Sequence, residues 1–306
     1  MRSGEMVPGD VADGTVLSGA PREQRPSRGS RARALLRLAR RDPVATACVA
    51  LLVLVAFVAL LAPLLAPYAP DQVDLSSAYL GPSFEHLLGT DASGRDIFSR
   101  LLFGARTSLL GPLGVVAISA VAGVALALVA AWFGGFADTT ISAGVDVLFS
   151  FPGLLLAIIG AAVFGAGLGA PVVAFGIAYT PIMARLVRGA ARRERELPHI
   201  ACATVLGLPS LRIVLRHLLP NLWPLILAQL TIEFGYATID IAAISFLGLG
   251  VQPPTSDWGL MVAQGRPAIL AGHPGEAIYP GIALVLVVLA VMVLGRRLAD
   301  RSGRRL

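Results

Sequence analysis

The chain has 306 residues, 56% of them hydrophobic and only 14% charged, with a mean hydropathy of +0.75. A soluble domain with so little charge would struggle to cover its surface, so the composition points to a membrane protein. All 25 basic residues are arginine, giving a net charge of +6. Without lysine there is no P-loop, whose closing GK(S/T) needs that lysine at the phosphates, so any nucleotide-driven step belongs to another polypeptide.

Residues 1–30 are rich in Gly, Pro, Ser, Arg and Asp and poor in apolar residues, and read as a disordered cytoplasmic tail. Residues 31–42 interleave arginine with leucine and alanine. They form either a juxtamembrane amphipathic helix on anionic lipid or a plain topogenic charge cluster. Residues 44–65 are the first span, long enough to cross about 30 Å of hydrocarbon. That run is too long and too far from the start for a signal peptide. A mixed polar segment, 68–106, precedes an apolar run at 109–133, with further spans expected at 143–164, 170–187, 223–247 and 277–294. The expected fold is therefore all-α and polytopic, with six membrane helices over 43–306. Spans three and four are interrupted by Pro152 and by the glycines Gly165, Gly167 and Gly169.

The arginines orient the chain. Nine lie in the tail, seven in the loop between spans four and five, and five at the C-terminus, against Arg95, Arg100, Arg106 and Arg266 on the other side. Positive-inside bias then puts both termini and that loop in the cytoplasm, with Trp132 and Trp223 at cytoplasmic span ends. The same bias explains the net charge better than nucleic acid does, because the arginine-rich loop has no aromatic residue to interleave. Cys48 lies in a span and Cys202 in the loop, so no disulfide framework is expected. The histidines (86, 199, 217 and 273) are scattered, and no HExxH, paired CxxC or GxSxG occurs, so neither a metal centre nor a catalytic site is expected.

The long polar interruption at 185–221 has its own design. Pro198 suits the first turn of a short helix, Gly207 a left-handed cap, and Pro209 the opening of a second helix. In that second helix Leu211, Val214, Leu215 and Leu218 fall at i, i+3, i+4 and i+7, one apolar stripe, with Arg212 and Arg216 on another face. Pro220 is expected to stop it. Two short helices bent at a glycine make a docking element, and its boundaries are about 188–221.

Intramembrane acids are functional candidates by default. Glu233 and Asp240 lie seven residues apart, near one face of the fifth span; Asp146 sits in the third. They line a cavity for amines or cations, cap neighbouring backbone, or pair with a partner subunit.

Four separated stretches share a resemblance. The first is His86-Leu87-Leu88-Gly89-Thr90-Asp91, then Gly94-Arg95-Asp96, Ser99-Arg100, Gly104, Arg106 and Ser108-Leu109. Asp91, Arg95, Asp96 and Arg100 can pair locally there, as surface ion pairs of a solvated loop or as a packing and gating element. The second is Asp138, Asp146 and Phe151-Pro152-Gly153, with Ala143 in place of a customary arginine. The third is the docking element, where Ala201, Cys202 and Ala203 align with an EAA triplet and Gly207, Ile213, His217, Leu219, Pro220 and Asn221 match downstream positions. Ala201 replaces the usual glutamate. The fourth is Ser245-Phe246-Leu247-Gly248-Leu249-Gly250 with Gln252-Pro253-Pro254 and Asp257-Trp258-Gly259, a fixed non-helical turn. In the fifth span Asp240 is offset by one from the usual acid, at Ile241, and at the C-terminus Met292 and Arg296 replace an asparagine and an aspartate.

Together these resemble the C-type permease subunit of binding-protein-dependent ABC importers for dipeptides, oligopeptides or nickel. The resemblance implies a type I importer permease in the cytoplasmic membrane, not an enzyme, pairing with a second homologous permease and embedded in membrane lipid. It implies two ATPase subunits that bind ATP and Mg, no cofactor in this chain, and an extracellular or periplasmic solute-binding protein. It places ATPase coupling on Ala201, Cys202, Ala203, Gly207, Leu211, Ile213, Leu215, Leu219 and Pro220, and a translocation path near Asp146, Glu233, Asp240, Ser245 and Phe246. The rival reading is an ion-gradient-driven carrier or channel working through Asp146, Glu233 and Asp240.

Overall fold

The computed structural model describes residues 42–303. The tail expected over 1–30 and the arginine-rich segment over 31–42, Asp42 apart, lie outside the described residues. In chain order the helices are α1 (Pro43–Leu65), α2 (Ile97–Phe133), α3 (Gly135–Phe149), α4 (Gly153–Phe164), α5 (Gly169–Arg195), α6 (Pro198–Val205), α7 (Ser210–Phe246), α8 (Trp258–Gln264), α9 (Arg266–Leu270) and α10 (Gly275–Gly303). Among the described residues no strand occurs.

Five of these helices, α1, α2, α5, α7 and α10, are long and apolar enough to cross a membrane. The sixth candidate span is broken: α3 and α4 meet at 78°. The span expected over 143–164 is thus two helices that bend at the Pro152 interruption. Pro152 lacks an N–H and pushes its predecessor out of helical conformation, so the chain turns at 150–152 and restarts.

The other boundaries also move. The second span belongs to a 37-residue helix whose first turns carry the polar motif. Asp96 caps it, its Oδ2 accepting the Ser99 N–H at 2.7 Å. The fifth span likewise begins early, at Ser210, and runs through Pro220, which does not stop it. Proline has no N–H to bond, and its ring presses on the carbonyl four residues back. The helix accommodates this by opening one π turn, Val214–Leu218, in which the Leu219 N–H reaches the Val214 carbonyl. At 1.5 Å per residue, α2 and α7 are each about 55 Å long and must project beyond a hydrocarbon layer of about 30 Å.

Three apolar clusters hold the bundle. One joins the C-terminal half of α2 (Ala127, Leu128, Ala131) to Met183, Val187 and Ala191 of α5 and to Leu218, Leu222 and Ile226 of α7. A second, at the opposite end, joins α1, α2, α8 and α10 through Ala59, Ile97, Trp258, Met261 and Val287. The third fills the middle with Val115, Ala157, Phe175, Ala237 and Ile241. Close approach of α2 and α5 depends on Gly176, where a Cβ would lie 2.7 Å from that of Ile118. α1 is apolar all round and buries only Ala59 and Ala62, which leaves most of its surface for lipid.

Candidate functional site

The docking element forms as an elbow. Pro198 occupies the first turn of α6. At the other end Gly207 has φ +72°, with its N–H on the Thr204 carbonyl (3.0 Å) and the Leu208 N–H on the Ala203 carbonyl (3.2 Å). These are the two bonds of a Schellman cap. A Cβ at 207 would meet nothing within 4 Å, so what the position demands is the left-handed backbone itself.

Inside the elbow Ile200, Ala203 and Ile213 make a small buried core, covered by Trp132 and Leu208. The mount below it is polar. Asn221 donates its Nδ2 hydrogen to Glu194 Oε1 at 2.7 Å, and His199 Nε2 lies 3.3 Å from the same oxygen. Glu194, buried at the end of α5, thereby ties the first turn of α6 and Asn221, about three turns into α7, to one point. Arg195 adds a bond from Nη1 to the Ala131 carbonyl (2.9 Å) and lies over the Trp132 ring. Ala201 has no carboxylate to offer, yet the first short helix is anchored by this clamp.

The expected apolar stripe is split. Val214 and Leu218 turn into the bundle, while Leu211 and Leu215 stay out at 70% and 53% exposure. Val205 (88%) and Leu206 (78%) join them across the bend, beside exposed Ala201 and Cys202. Spacing alone missed Val205 and Leu206, because they end a helix too short to show a period. Ala203 and Ile213 are enclosed by the elbow's own core and present no surface. Leu219 is half-buried and Pro220 exposed.

The acids of the spans go to separate partners. Glu233 is enclosed, with Oε2 accepting from Ser119 Oγ of α2 (2.9 Å) and Oε1 from Gln229 Nε2 (3.1 Å). Asp240, about 10 Å further along α7, is only half-buried and accepts from Tyr179 Oη of α5 at 2.7 Å. Asp146 is exposed and pairs with Arg185 of α5 at 2.7 Å. Asp138 accepts from Arg188 and Arg192. The basic partners missing from their own segment are thus supplied two helices later, 39 to 54 residues away, where no local spacing reveals them. Ser245 is fully buried; Phe246 is partly exposed under the Arg266 guanidinium, 5.2 Å from its ring centre.

At the opposite end of the bundle the first and fourth motifs interlock. Arg100 is fully buried, donating from Nη1 to Asp91 and from Nη2 to Gln264 Oε1 at 2.6 Å, with Glu276 3.6 Å away. Arg95 Nε donates to Asp91 Oδ2 at 2.7 Å, and His86 Nδ1 lies 3.0 Å from Asp96. The reading of this motif as a solvated loop with surface ion pairs is therefore corrected: Asp91, Asp96 and Arg100 are enclosed because α8 and α10 close over them. Ser108 Oγ donates to Asp257 (2.7 Å) and accepts the Trp258 N–H (3.0 Å), and Trp258 Nε1 reaches the Leu101 carbonyl (2.9 Å). Burial pushes the Asp257 carboxyl above its ordinary range, against the bonds from Ser108 and the Leu260 N–H.

Comparison with known proteins agrees with this architecture. Residues 123–306 match the binding-protein-dependent transport system inner membrane component family, and residues 30–82 match the N-terminal transmembrane domain of oligopeptide transport permease C. The glutathione transport system permease protein of Pectobacterium atrosepticum is 39% identical over 267 residues, 87% of this chain and 88% of its own. The dipeptide transport system permease protein of Alkalihalophilus pseudofirmus is 38% identical over 256 residues, 83% of this chain and 84% of its own. In fold, a chain of the inward-facing MetNI methionine ABC transporter superposes with a TM-score of 0.52 at 21% identity, over 66% of this chain and 96% of that one. The chain belongs to the binding-protein-dependent transport system inner membrane components and is a permease subunit of an ABC transporter, a transport protein and not an enzyme.

Proposed function

We propose that this permease forms half of a peptide-importing pathway across the cytoplasmic membrane. Two ATPase subunits grip the elbow of α6 and α7 on this chain and its counterpart on a second, homologous permease. Both termini and the elbow lie in the cytoplasm, and a solute-binding protein delivers substrate at the opposite end.

The observation that carries this reading is the exposed apolar face of Val205, Leu206, Leu211 and Leu215 on a rigid mount. Apolar side chains raised on a polar end of the bundle are costly in water and favour a partner. Because α7 continues unbroken from the elbow into the bundle, a push on that face is delivered to the span that carries Asp240 and Phe246. The permease then alternates between inward- and outward-open states, biased by nucleotide held elsewhere. The clustering of arginines at the elbow end supports the orientation. The names of the dipeptide and glutathione relatives support a peptide substrate.

Along the path, half-exposed Asp240 braced by Tyr179 is available to a passing amine, whereas Glu233, with both oxygens bonded, serves the packing of α7 on α2. Asp146 and Phe246 flank the route at its two ends, and buried Ser245 supports the turn beside it.

Purification of the tagged chain from intact membranes tests the assembly. The second permease and the ATPases accompany it, and reconstituted vesicles take up di- or tripeptides only with ATP and binding protein. Uptake driven by an ion gradient with no ATPase present would establish the rival carrier.

A further inference from the structure

Beside the paired charges of α3 and α5 lies a feature of which the import reading uses only Asp146. α2, α3 and α5 enclose a crevice of about 180 Å³. Its walls are apolar at Leu126, Ile141 and Val145 and polar at Ser142, Asp146, Arg185 and Arg188. The Ser142 hydroxyl is shielded from water and has no hydrogen-bond partner, which is costly unless something fills the crevice.

The charge balance in the crevice favours an anion. On its wall Arg185 and Arg188 stand against Asp146, and with Arg192 and Asp138 beside it the described ion pairs set three guanidinium charges against two carboxylates. Arg185 donates from Nη2 to Asp146 and lies 4.1 Å from the centre of the Phe149 ring, which fixes its plane. Among the described residues the rest of its fork has no acceptor, and a guanidinium fork matches the geometry of a phosphate.

The level is close to the end of the spans, at the boundary of headgroup and acyl chain. Ala127, on the crevice wall, is five residues from Trp132, about 7.5 Å along α2. Trp132 and half-exposed Trp223 are aromatics of the kind that mark a membrane interface. A groove at this level with an apolar floor and an arginine rim suits a group that is anionic at one end and hydrocarbon at the other.

We propose that this crevice binds the phosphate headgroup of an anionic phospholipid, with Arg185 and Arg188 on the phosphate, Ser142 donating to one of its oxygens, and the acyl chains lying along the exposed faces of α3 and α5.

The test places the full chain in bilayers of phosphatidylcholine with or without phosphatidylglycerol and counts the lipids retained, by native mass spectrometry. Wild type retains phosphatidylglycerol. Arg185→Gln, at an exposed position, retains about fivefold less, the worth of one charge at a membrane surface, and Ser142→Ala, which removes only the hydroxyl, also retains less than wild type. Arg266→Gln, at the opposite end, retains as much as wild type. Equal retention by wild type and Arg185→Gln would overturn the proposal. So would millimolar inorganic phosphate binding to the chain in pure phosphatidylcholine while phosphatidylglycerol does not, which would make the site one for a free anion.

Discussion

At the elbow end, Val205, Leu206, Leu211 and Leu215 stand open on a two-helix element held to the bundle by the Glu194 clamp, the Arg195 bond to Ala131 and the inward-turned Val214 and Leu218. At the opposite end, Asp91, Asp96, Arg100, Glu276 and Asp257 are all enclosed, and two motifs 150 residues apart in sequence share hydrogen bonds. One end offers apolar surface outward; the other seals charge inward. The difference teaches where movement and where stability are placed. On the proposed reading, the side chains left exposed at the elbow gain their stabilisation from an ATPase subunit, so their energy changes when that subunit moves. Enclosed charges are bound by a steep cost of separation, since an orphaned ion in a low-dielectric site cannot rehydrate.

The contrast can be broken most forcefully at Arg100. Arg100→Met leaves the Asp91 carboxylate to Arg95 alone and takes the paired cation from buried Glu276, and the purified chain should lose about 3–5 kcal/mol in denaturant unfolding. A loss below 1 kcal/mol, the ordinary yield of a surface pair, would show that this end is no charge lock.

At the elbow, Gly207→Val forces a β-branched residue into φ +72° at a local cost of about 1–3 kcal/mol. Because the strain is confined to the bend, the complex still assembles and hydrolyses ATP, but uptake per ATP collapses. Normal uptake would remove the bend from the coupling route.

The smallest effect sits at Asp257. Its buried carboxyl titrates above its unfolded value of about 3.9, so in that window the native state binds the proton more tightly than the unfolded chain does. Stability from this group is therefore greatest at low pH and falls as pH rises through the window. Asp257→Asn, neutral throughout, should flatten the slope of unfolding stability against pH relative to wild type. An unchanged slope would remove Asp257 from the lock's pH response.

Much of this was legible in the sequence, and the parts that were not share a cause. Apolar runs gave the spans, and the glycine at 207 gave the bend, because each is written in consecutive residues. Pro220 misled: a proline reads as a stop, but a membrane helix packed on neighbours tolerates it by widening one turn. The stripe from Leu211 to Leu218 was a correct period assigned a single role, when its residues divide between the bundle and the outside. The polar motif at 91–100 read as loop because its charges are dense, and nothing local shows that Gln264 and Glu276 close over it. Glu194, His199 and Asn221 meet only after the elbow folds, so the clamp that anchors the first short helix is not visible in the spacing.

The elbow as the ATPase-binding face is the central claim, and the double variant Leu206→Asp with Leu211→Asp tests it most directly. Two unpaired carboxylates in an apolar contact cost at least about 3 kcal/mol, or about a hundredfold in affinity. Co-purification of the ATPases with the tagged chain should be lost, while the second permease is retained as with wild type. ATPases retained at wild-type levels by a folded double variant would contradict the account.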